Sequence, residues 1–232
     1  MKPATCLIVL LLSALFAPLA AAAECADMPA DPAISVRIDA APVRHDHALS
    51  VAALSKIPSE SRRAGMEAYD RTLGLTEANI NTNADMKLFT MPDGQGGFCT
   101  TARSATIVVK WTTTVHIASE IQPGSCIDRV VGAHEEKHVA IDAALMPIGR
   151  RAIELALTAV IRHGVAGSTA GQSRQNLQDQ ARDAVNQAID AFALVRTRRQ
   201  LALDSPDEYD KVQRTCGILE YIHVMHQAGD SP

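Results

Sequence analysis

The sequence is poor in aromatic residues and contains no long run of basic residues. Phe, Trp and Tyr make up 3% of the 232 residues, and the formal net charge is −4. Proteins that bind nucleic acids need basic surface to neutralise phosphates, and many stack aromatic rings on the bases. The composition therefore argues against a nucleic-acid partner. Hydrophobic residues make up 47% of the chain, enough for a sizeable core, and the length suits a single domain.

The first 23 residues have the pattern of a secretory signal peptide. Lys2 gives a positive start, the segment from Cys6 to Leu15 is apolar, and small residues precede Glu24. This order predicts cleavage after Ala23. We therefore expect a periplasmic or secreted protein, with no membrane association after cleavage and residues 24–232 as the mature domain.

Closely spaced cysteine pairs of the C-x-x-C type are absent, which argues against a zinc cluster. Four cysteines follow the predicted cleavage site: Cys25, Cys99, Cys126 and Cys216. In an oxidising compartment they predict two disulfides, with three possible pairings. We expect Cys99–Cys126, because these two bracket a compact β-rich segment, and therefore Cys25–Cys216.

One motif carries specific chemistry: His134-Glu135-x-x-His138. Residues four apart lie on the same face of a helix, one turn from each other, so both imidazoles can reach one zinc ion. Glu135 follows the first histidine and is placed to take a proton from a water at the metal. Apolar neighbours and the absence of Gly and Pro over residues 133–146 predict a helix here. We expect His134 and His138 as ligands and Glu135 as general base.

The third zinc ligand is not evident from the sequence. No Gly-x-x-His follows His138, and Glu154 is too close to reach back after a turn near Pro147. Asp142 lies on the same helix face as His134 but about 12 Å along the axis. Its expected role is to support a ligand histidine or to pair with a nearby cation, although direct ligation stays open. Four later residues also remain open as ligands: Asp204, Asp210, Glu220 and His223.

Other polar groups have plain structural interpretations. The segment His45-Asp46-His47 is expected to be a solvated turn, with a weak metal site as the alternative. Glu208 is expected to complete a capping box with Ser205 rather than bind metal. Tyr209 and Tyr221 could stabilise an oxyanion, but packing is the expected role of both.

The pattern of the chain predicts an α+β fold with a small antiparallel sheet in its first half. Residues 106–118 are rich in β-branched residues, and Val115–Ser119 is the expected edge strand beside the motif helix. That helix should break at Pro147 and Gly149. A linker over residues 164–173 then leads to a helical extension, about residues 172–232, whose last helix starts at Ser205.

Two resemblances are visible in these residues. The segment Val131–Asp142 resembles the active-site helix of thermolysin-type metallopeptidases. More of the chain, roughly residues 95–220, resembles a family of bacterial secreted proteins of unknown function that are predicted to be zinc-dependent proteases. This second resemblance includes Pro123-Gly124-Ser125-Cys126 and the segment from Leu203 to Tyr209. It implies a zincin-like fold, His134 and His138 as zinc ligands and Glu135 as general base.

The sequence thus predicts an exported zinc metallopeptidase acting on a peptide or protein substrate. The alternative is a non-catalytic, disulfide-stapled periplasmic binding or structural module whose metal site is structural or vestigial. The missing third ligand motivates this alternative. The two hypotheses differ in whether an acidic or His side chain from residues 150–226 converges on His134 and His138.

Overall fold

The structure, a computed structural model, describes Cys25, residues 32–57 and residues 71–229, apart from the side chains of residues 219 and 225–229. The predicted signal peptide lies outside the described residues. The strands are β1 (Ala33–Ala40), β2 (Arg44–Asp46), β3 (Gly74–Pro92), β4 (Phe98–Ile117) and β5 (Val165–Gly167). The helices are α1 (Val51–Leu54), α2 (Cys126–His163), α3 (Ala170–Leu203), α4 (Pro206–Gln213) and α5 (Ile218–Gly229). This is the expected mixture of helix and strand.

The sheet is built around β4. Strand β3 pairs antiparallel with β4 from one end to the other. Strands β5, β1 and β2 pair with successive parts of β4, and of these β5 is antiparallel whereas β1 and β2 are parallel. The expectation of an antiparallel sheet is therefore only partly right, because the N-terminal strands join β4 in the parallel direction and make the sheet mixed.

The two long strands form a hairpin with a sharp turn. Asp93 Oδ1 accepts hydrogen bonds from the backbone N–H groups of Gln95 and Gly97, both at 2.8 Å. Gly94 and Gly96 have φ angles of 76° and 93°, a region that glycine adopts without strain. The polar residues before this turn, Thr76–Asp85, resemble a loop in sequence but belong to β3. Their pairing with the strongly β-prone β4 outweighs their own weak strand propensity.

Val115–Ser119 is not an edge strand, contrary to expectation. Val115 pairs with His45 of β2 on one side and with Thr76 of β3 on the other. Among the described strands, β3 pairs only with β4, so its outer edge has no neighbouring strand, and the same holds for the outer edges of β1, β2 and β5 on the other side of β4. The error arises because β-branched residues indicate a strand but not its position within the sheet.

Helices α2 and α3 cover one face of the sheet. The buried residues of α2 recur at helical spacing and include Leu145, Ile153, Leu157 and Ile161. The helix continues through Pro147, where a break was expected. Proline removes one hydrogen bond to the carbonyl four residues earlier. That residue, Ala143, is exposed, so water can satisfy the freed carbonyl oxygen.

Gly149 allows α2 and α3 to approach closely. A Cβ atom at this position would lie 2.8 Å from the ring of Phe192 on α3. The ring of Phe192 also meets Trp111 of β4 edge-on, with centroids 5.8 Å apart. The glycine that was expected to weaken α2 is therefore a packing position between the two helices.

The expected single helix after Ser205 is two helices. Ser205 is an N-cap as predicted, since its hydroxyl accepts from the backbone N–H of Glu208. Helix α4 ends at Gln213, and Cys216 and Gly217 have positive φ angles of 60° and 67° that interrupt the helix before Ile218. The last described part of the chain therefore turns back toward the start of α2.

The disulfide pairing differs from the expected one. Cys25 is bonded to Cys99, and Cys126 is bonded to Cys216, with a Cα–Cα distance of 5.7 Å in each pair. Cys99 and Cys126 are at opposite ends of β4 and its following turn, so an extended strand separates them. Proximity in sequence was a poor guide because β4 is much longer than the predicted strands.

The core has three clusters along the sheet. The largest contains β4 residues such as Ile107 and Val109 with Leu157 of α2 and Val185 of α3. A second surrounds α1 and the end of β4, and a third joins Trp111, Leu145 and Phe192. Among the described residues, no helix combines the length and apolar character that a membrane span requires.

Candidate metal centre

Helix α2 presents the motif side chains to the interior. His134, Glu135, His138 and Asp142 are all buried, with His134 and His138 each 7% exposed. The predicted helix over this motif is present. Its periodicity brings the two histidine rings to a centroid separation of 5.0 Å, so both can direct a nitrogen to one point.

Asp204 completes a triangle of candidate ligand atoms with the two histidines. Asp204 Oδ1 lies 3.2 Å from His134 Nε2 and 3.0 Å from His138 Nε2, and the two nitrogens are 3.3 Å apart. It is the C-cap of α3, where ψ of 55° ends the helix. Asp204 is one of the four residues that the sequence left open as ligands, and His134, His138 and Asp204 form a group that could hold a metal ion.

The dimensions of this triangle fit a bound divalent metal. Tetrahedral zinc at about 2.0–2.1 Å from each ligand separates ligand atoms by about 3.3–3.4 Å. The observed separations of 3.0–3.3 Å are close to these values. Two histidines with one carboxylate also form a ligand set found in catalytic zinc sites, although other first-row metals use it too.

The electrostatics of the triangle favour a cation at its centre. Burial alone would raise the pKa of Asp204, but hydrogen bonds from His134 and His138 outweigh burial and lower that pKa to about 2. Burial likewise lowers the pKa of His138, whereas the hydrogen bond and charge of Asp204, with the charge of Glu135, raise it overall. A carboxylate between two imidazoles thus binds positive charge, supplied by protons or by a metal.

Gln200 of α3 fixes the orientation of the His138 ring. Its amide Nε2 donates to Asp142 Oδ1 at 2.7 Å and to the His138 carbonyl at 3.2 Å. The remaining Gln200 Oε1 is only an acceptor and contacts His138 Nδ1, which must therefore carry the hydrogen. In neutral His138, Nε2 then presents a lone pair toward Asp204 and His134, which is the tautomer a metal needs.

Asp142 holds Gln200 in place by a hydrogen bond and is not one of the three residues whose atoms form the triangle. Arg196 donates to both of its oxygens, at 2.7 and 3.0 Å, and Gln200 donates to one of them. Asp142 is 1% exposed, so these partners compensate a buried charge. The structure places Asp142 in the supporting position that its distance along the helix predicts.

Glu135 is held beside the triangle by β3. Its Oε2 accepts from Thr76 Oγ1 at 2.8 Å. Burial raises the pKa of Glu135, and the nearby charges of His138 and His134 partly oppose this. A Cβ at Gly74 would lie 2.7 Å from Glu135 Oε1 and 2.6 Å from Val131 Cγ1. The start of β3 therefore leaves the space that the Glu135 carboxylate occupies.

Glu208 does not complete the expected capping box. The backbone N–H of Ser205 donates to the Leu203 carbonyl at 2.7 Å instead of to Glu208. The Glu208 carboxylate contacts Lys137 on α2 and lies 3.8 Å from His134 Nδ1. Because His134 Nδ1 is buried without a hydrogen-bond partner, Glu208 is the group best placed to orient this ring.

Tyr209 packs against His134, one of the candidate ligands. The two ring centroids are 5.7 Å apart, and the ring planes are tilted by 51°. Burial first, and then the negative charges of Asp204 and Glu135, raise the pKa of the Tyr209 hydroxyl. Tyr221 belongs to the apolar cluster near α1, as expected for a packing residue.

The remaining candidate residues lie elsewhere. His45 Nε2 contacts Glu136 at 2.7 Å, His47 Nε2 lies 3.7 Å from Asp128, and Asp46 lies 3.6 Å from His116. These pairs are separate, so the alternative of one metal site in this segment is not supported. Glu154 stays on the uninterrupted α2 and pairs with Arg151, whereas Asp210 pairs with Arg214 and both Glu220 and His223 are exposed.

Sequence reasoning missed Gln200, Arg196 and Thr76. A signal for the first two existed in the helix lengths: α2 and α3 are similarly long and joined by a short connection, so the end of α3 returns to the level of His138. Comparison with protein-family models, with curated proteins and with solved structures found no match to this chain. The family resemblance drawn from the sequence therefore stays a prediction.

Proposed function

We propose that this protein is an exported zinc-dependent peptidase. The observation that carries the proposal is the convergence of His134, His138 and Asp204, with Glu135 buried beside them. The ligands come from two helices that are packed along their length, so the triangle rests on a rigid support. The carboxylate of Glu135 lies beside the three candidate ligands without being one of them, so it is available as the base that metal-assisted hydrolysis requires.

The residues have complementary roles in peptide hydrolysis. Zinc held by the three ligands would polarise the peptide carbonyl and lower the pKa of water. Glu135 would accept a proton from the attacking water, whose oxygen bonds to the carbonyl carbon. Glu135 would then deliver that proton to the amide nitrogen as the C–N bond breaks. The raised pKa of Glu135 supports this role, because an effective base titrates closer to the working pH.

The free edge of β3 supports an extended peptide as substrate. Gly74 and Thr76 lie at the end of β3 that contacts Glu135. The outer edge of β3 has no partner among the described strands, so its backbone groups are available to a peptide that adds as a further strand. This edge replaces Val115–Ser119 as the candidate substrate-binding strand.

Two disulfides support an oxidising location. The pairs Cys25–Cys99 and Cys126–Cys216 use all four cysteines that follow the predicted signal peptide. Such bonds persist outside the cytosol, and the predicted signal peptide gives the route. A periplasmic or secreted location is therefore part of the proposal.

The alternative of a non-catalytic binding module rested on the missing third ligand. Asp204 now supplies a candidate for that ligand from within residues 150–226. Convergence of such a side chain on His134 and His138 is the feature that separates the two hypotheses. The position of Asp204 therefore favours the peptidase over the binding module.

Metal analysis and peptide cleavage test the proposal together. We expect one zinc per chain in the disulfide-intact protein, loss of zinc in His134→Ala and Asp204→Ala, and retention in Asp210→Ala, a matched acidic residue that pairs with Arg214. A proteome-derived peptide library analysed by mass spectrometry should show cleavage that Glu135→Gln abolishes without losing zinc. Glu136→Gln, whose side chain contacts His45, is the control that should still cleave.

Absence of zinc from the wild-type protein after zinc is supplied would refute the metal site. Undiminished cleavage by Glu135→Gln would refute the mechanism. Zinc binding without any cleavage of the library would favour the binding-module alternative.

A further inference from the structure

We propose that a groove between α3 and β3 binds an extended peptide that carries an apolar and an acidic side chain two positions apart, with its backbone paired to the outer edge of β3. This inference deepens the peptidase function proposed above and rests on its substrate-binding edge, because it names features of the substrate. The groove is remote from the candidate metal centre, so peptide binding there requires no zinc and can be measured separately from cleavage.

The groove is a cavity of about 340 Å³ between the side of α3 and the face of β3 that carries Thr82 and Ala84. Its floor is apolar and includes three buried residues of β4, α2 and α3, namely Ile107, Leu157 and Val185. Cavities of about 300–1,000 Å³ bind small molecules, so this groove has room for a large side chain.

The groove opens toward the outer edge of β3. Beyond one end of the groove the two elements are joined, since Arg174 Nε of α3 donates to Thr90 Oγ1 of β3 at 3.0 Å. Along the groove itself, Thr82 and Ala84 are exposed, so the helices do not cover β3 there. Strand β4 lies on the other side of β3, which leaves the outer edge as the open side.

The unpaired edge of β3 indicates what this groove holds. The backbone groups at that edge have no partner among the described strands. A strand added there would lie about 4.8 Å from β3, and every second side chain would share the face of Thr82 and Ala84. Those side chains would point into the groove. Strands β1, β2 and β5 also have an outer edge without a neighbouring strand, but none of the three lines this cavity.

The charge of the groove favours an acidic side chain. Arg182 of α3 contributes to the lining, whereas no carboxylate of the described residues does. Arg182 Nη2 contacts Asp179 at 3.0 Å, but a guanidinium has five N–H donors, so others remain for a ligand. A peptide with an apolar side chain over Ile107 and Leu157 can place an acidic side chain two positions away on the same face, toward Arg182.

The groove and the candidate metal centre lie along the same strand. Thr76 donates to Glu135 at that centre, and the groove residues Thr82 to Met86 follow about six to ten positions later. At about 3.3 Å per residue, they are about 20–33 Å from Thr76. A peptide that reaches both sites must therefore be extended over more than about six residues, so the groove selects long, unfolded segments as substrates.

The test measures binding of fluorescein-labelled peptides to the metal-free, disulfide-intact protein by fluorescence anisotropy. The probes are Thr-Val-Thr-X-Thr-Z-Thr-Val, in which X is Leu, Phe or Ser and Z is Glu or Gln. We expect the peptides with Leu or Phe and Glu to bind, and Ser at X to weaken binding about tenfold or more. Pro-Pro directly before X should also weaken binding, because it removes two N–H groups, one of which would face β3.

Two pairs of variants place the binding in the groove. Ala84→Trp fills the groove and should weaken binding about tenfold, whereas Asp85→Trp, on the opposite face of the same strand, should not. Arg182→Gln should weaken binding of the Glu peptides about threefold and leave the Gln peptides unchanged. Arg198→Gln, at an exposed position of α3 outside the groove, should affect neither. Circular dichroism checks that each variant is folded.

The proposal is overturned if no peptide with Leu or Phe and Glu binds, if the Ser peptides bind equally well, or if both Trp variants lose binding equally. It is also overturned if sedimentation shows a dimer that Ala84→Trp dissociates, because a second copy of the chain would then occupy the groove. Groove binding without cleavage of any library peptide would refute the peptidase function alone. Cleavage by a protein that binds none of these probes would refute the groove alone, so the two failures are distinguishable.

Discussion

Gln200 should control zinc affinity by holding one tautomer of His138. Its Oε1 accepts from His138 Nδ1, and its Nε2 is committed to Asp142 and the His138 carbonyl. Replacing Gln200 with Met keeps the approximate shape but leaves His138 Nδ1 without an acceptor. The hydrogen can then move to Nε2, where it blocks the metal. Loss of such a supporting hydrogen bond typically reduces metal affinity by about 10–100-fold, or about 1.4–2.7 kcal/mol.

The assay is a competitive zinc titration of the wild type, Gln200→Met and the control Gln175→Met. Gln175 is exposed on the same helix and its side-chain amide donates to Asp179 at 3.0 Å, far in sequence from Gln200, so its replacement should leave zinc affinity unchanged. Above the raised pKa of His138, where the ring is neutral, long-range ¹H–¹⁵N spectra of the metal-free proteins should show the hydrogen on Nδ1 of His138 in the wild type and in Gln175→Met, and on Nε2 in Gln200→Met.

A double variant separates this role from simple packing. In Asp142→Asn with Gln200→Glu, the carboxylate at position 200 can accept from His138 Nδ1 and from the new amide at position 142. Zinc affinity should recover relative to Gln200→Met, although the pair with Arg196 is weakened. Wild-type zinc affinity in Gln200→Met, with unchanged tautomer signals, would refute the reasoning.

Three further predictions follow from the same geometry. Gly74→Ala should retain zinc but lower cleavage and destabilise the fold by about 1–3 kcal/mol, because its Cβ would lie 2.6 Å from Val131 Cγ1 and 2.7 Å from Glu135 Oε1. Denaturant unfolding and metal analysis test this prediction, and an unchanged unfolding midpoint would contradict it. In the metal-free protein, the lowered pKa of Asp204, about 2, contributes stability that is complete above pH 3.8 and is lost as the pH falls through that lowered value. The raised pKa of His138 contributes stability that is complete below pH 6.5 and is lost as the pH rises through the raised value, and the raised pKa of buried Glu135 lowers stability as the pH rises above 4.5. The thermal-melting midpoint should therefore be highest between pH 3.8 and 4.5, and a midpoint that increases as the pH rises above 6.5 would contradict this. Cys126→Ser with Cys216→Ser should cost about 2–4 kcal/mol of stability yet keep one zinc per chain at low temperature, since Asp204 is positioned by α3; loss of zinc from the folded variant would contradict this.

The sequence predicted the parts of the site that are local. His134, Glu135 and His138 form a pattern within one helix, and their shared face follows from helical periodicity alone. Asp204 and Gln200 come from a helix more than sixty residues later. Asp204 and Gln200 reach the motif histidines because α2 continues through Pro147 and because α2 and α3 approach closely at Gly149. Local helix propensity predicts neither of these two features.

The fold shows the same division between local and long-range features. The helix that carries the motif and the Ser205 cap were predicted because each depends on residues that are close in sequence. Strand direction and disulfide pairing depend on how distant segments meet. The expectation of an antiparallel sheet was therefore only partly right, because β1 and β2 pair with β4 in the parallel direction, and the pairing Cys99–Cys126 was wrong, because Cys126 is bonded to Cys216.

The polar side chains buried between α2 and α3 are concentrated at one end of the helix pair, and packing of the two helices does not require this. Leu157, Ile161 and Val185 join the two helices to the sheet over most of their length with apolar contacts. The ion pair of buried Asp142 with half-buried Arg196 lies at the end of the two helices that carries His138. Buried ion pairs contribute little net stability compared with apolar residues of similar size. The position of this pair next to His138 is therefore better explained by a role in orienting that candidate ligand than by a contribution to the stability of the helix pair. Substitutions at Gln200 and Asp142 should for this reason change zinc affinity more than they change stability.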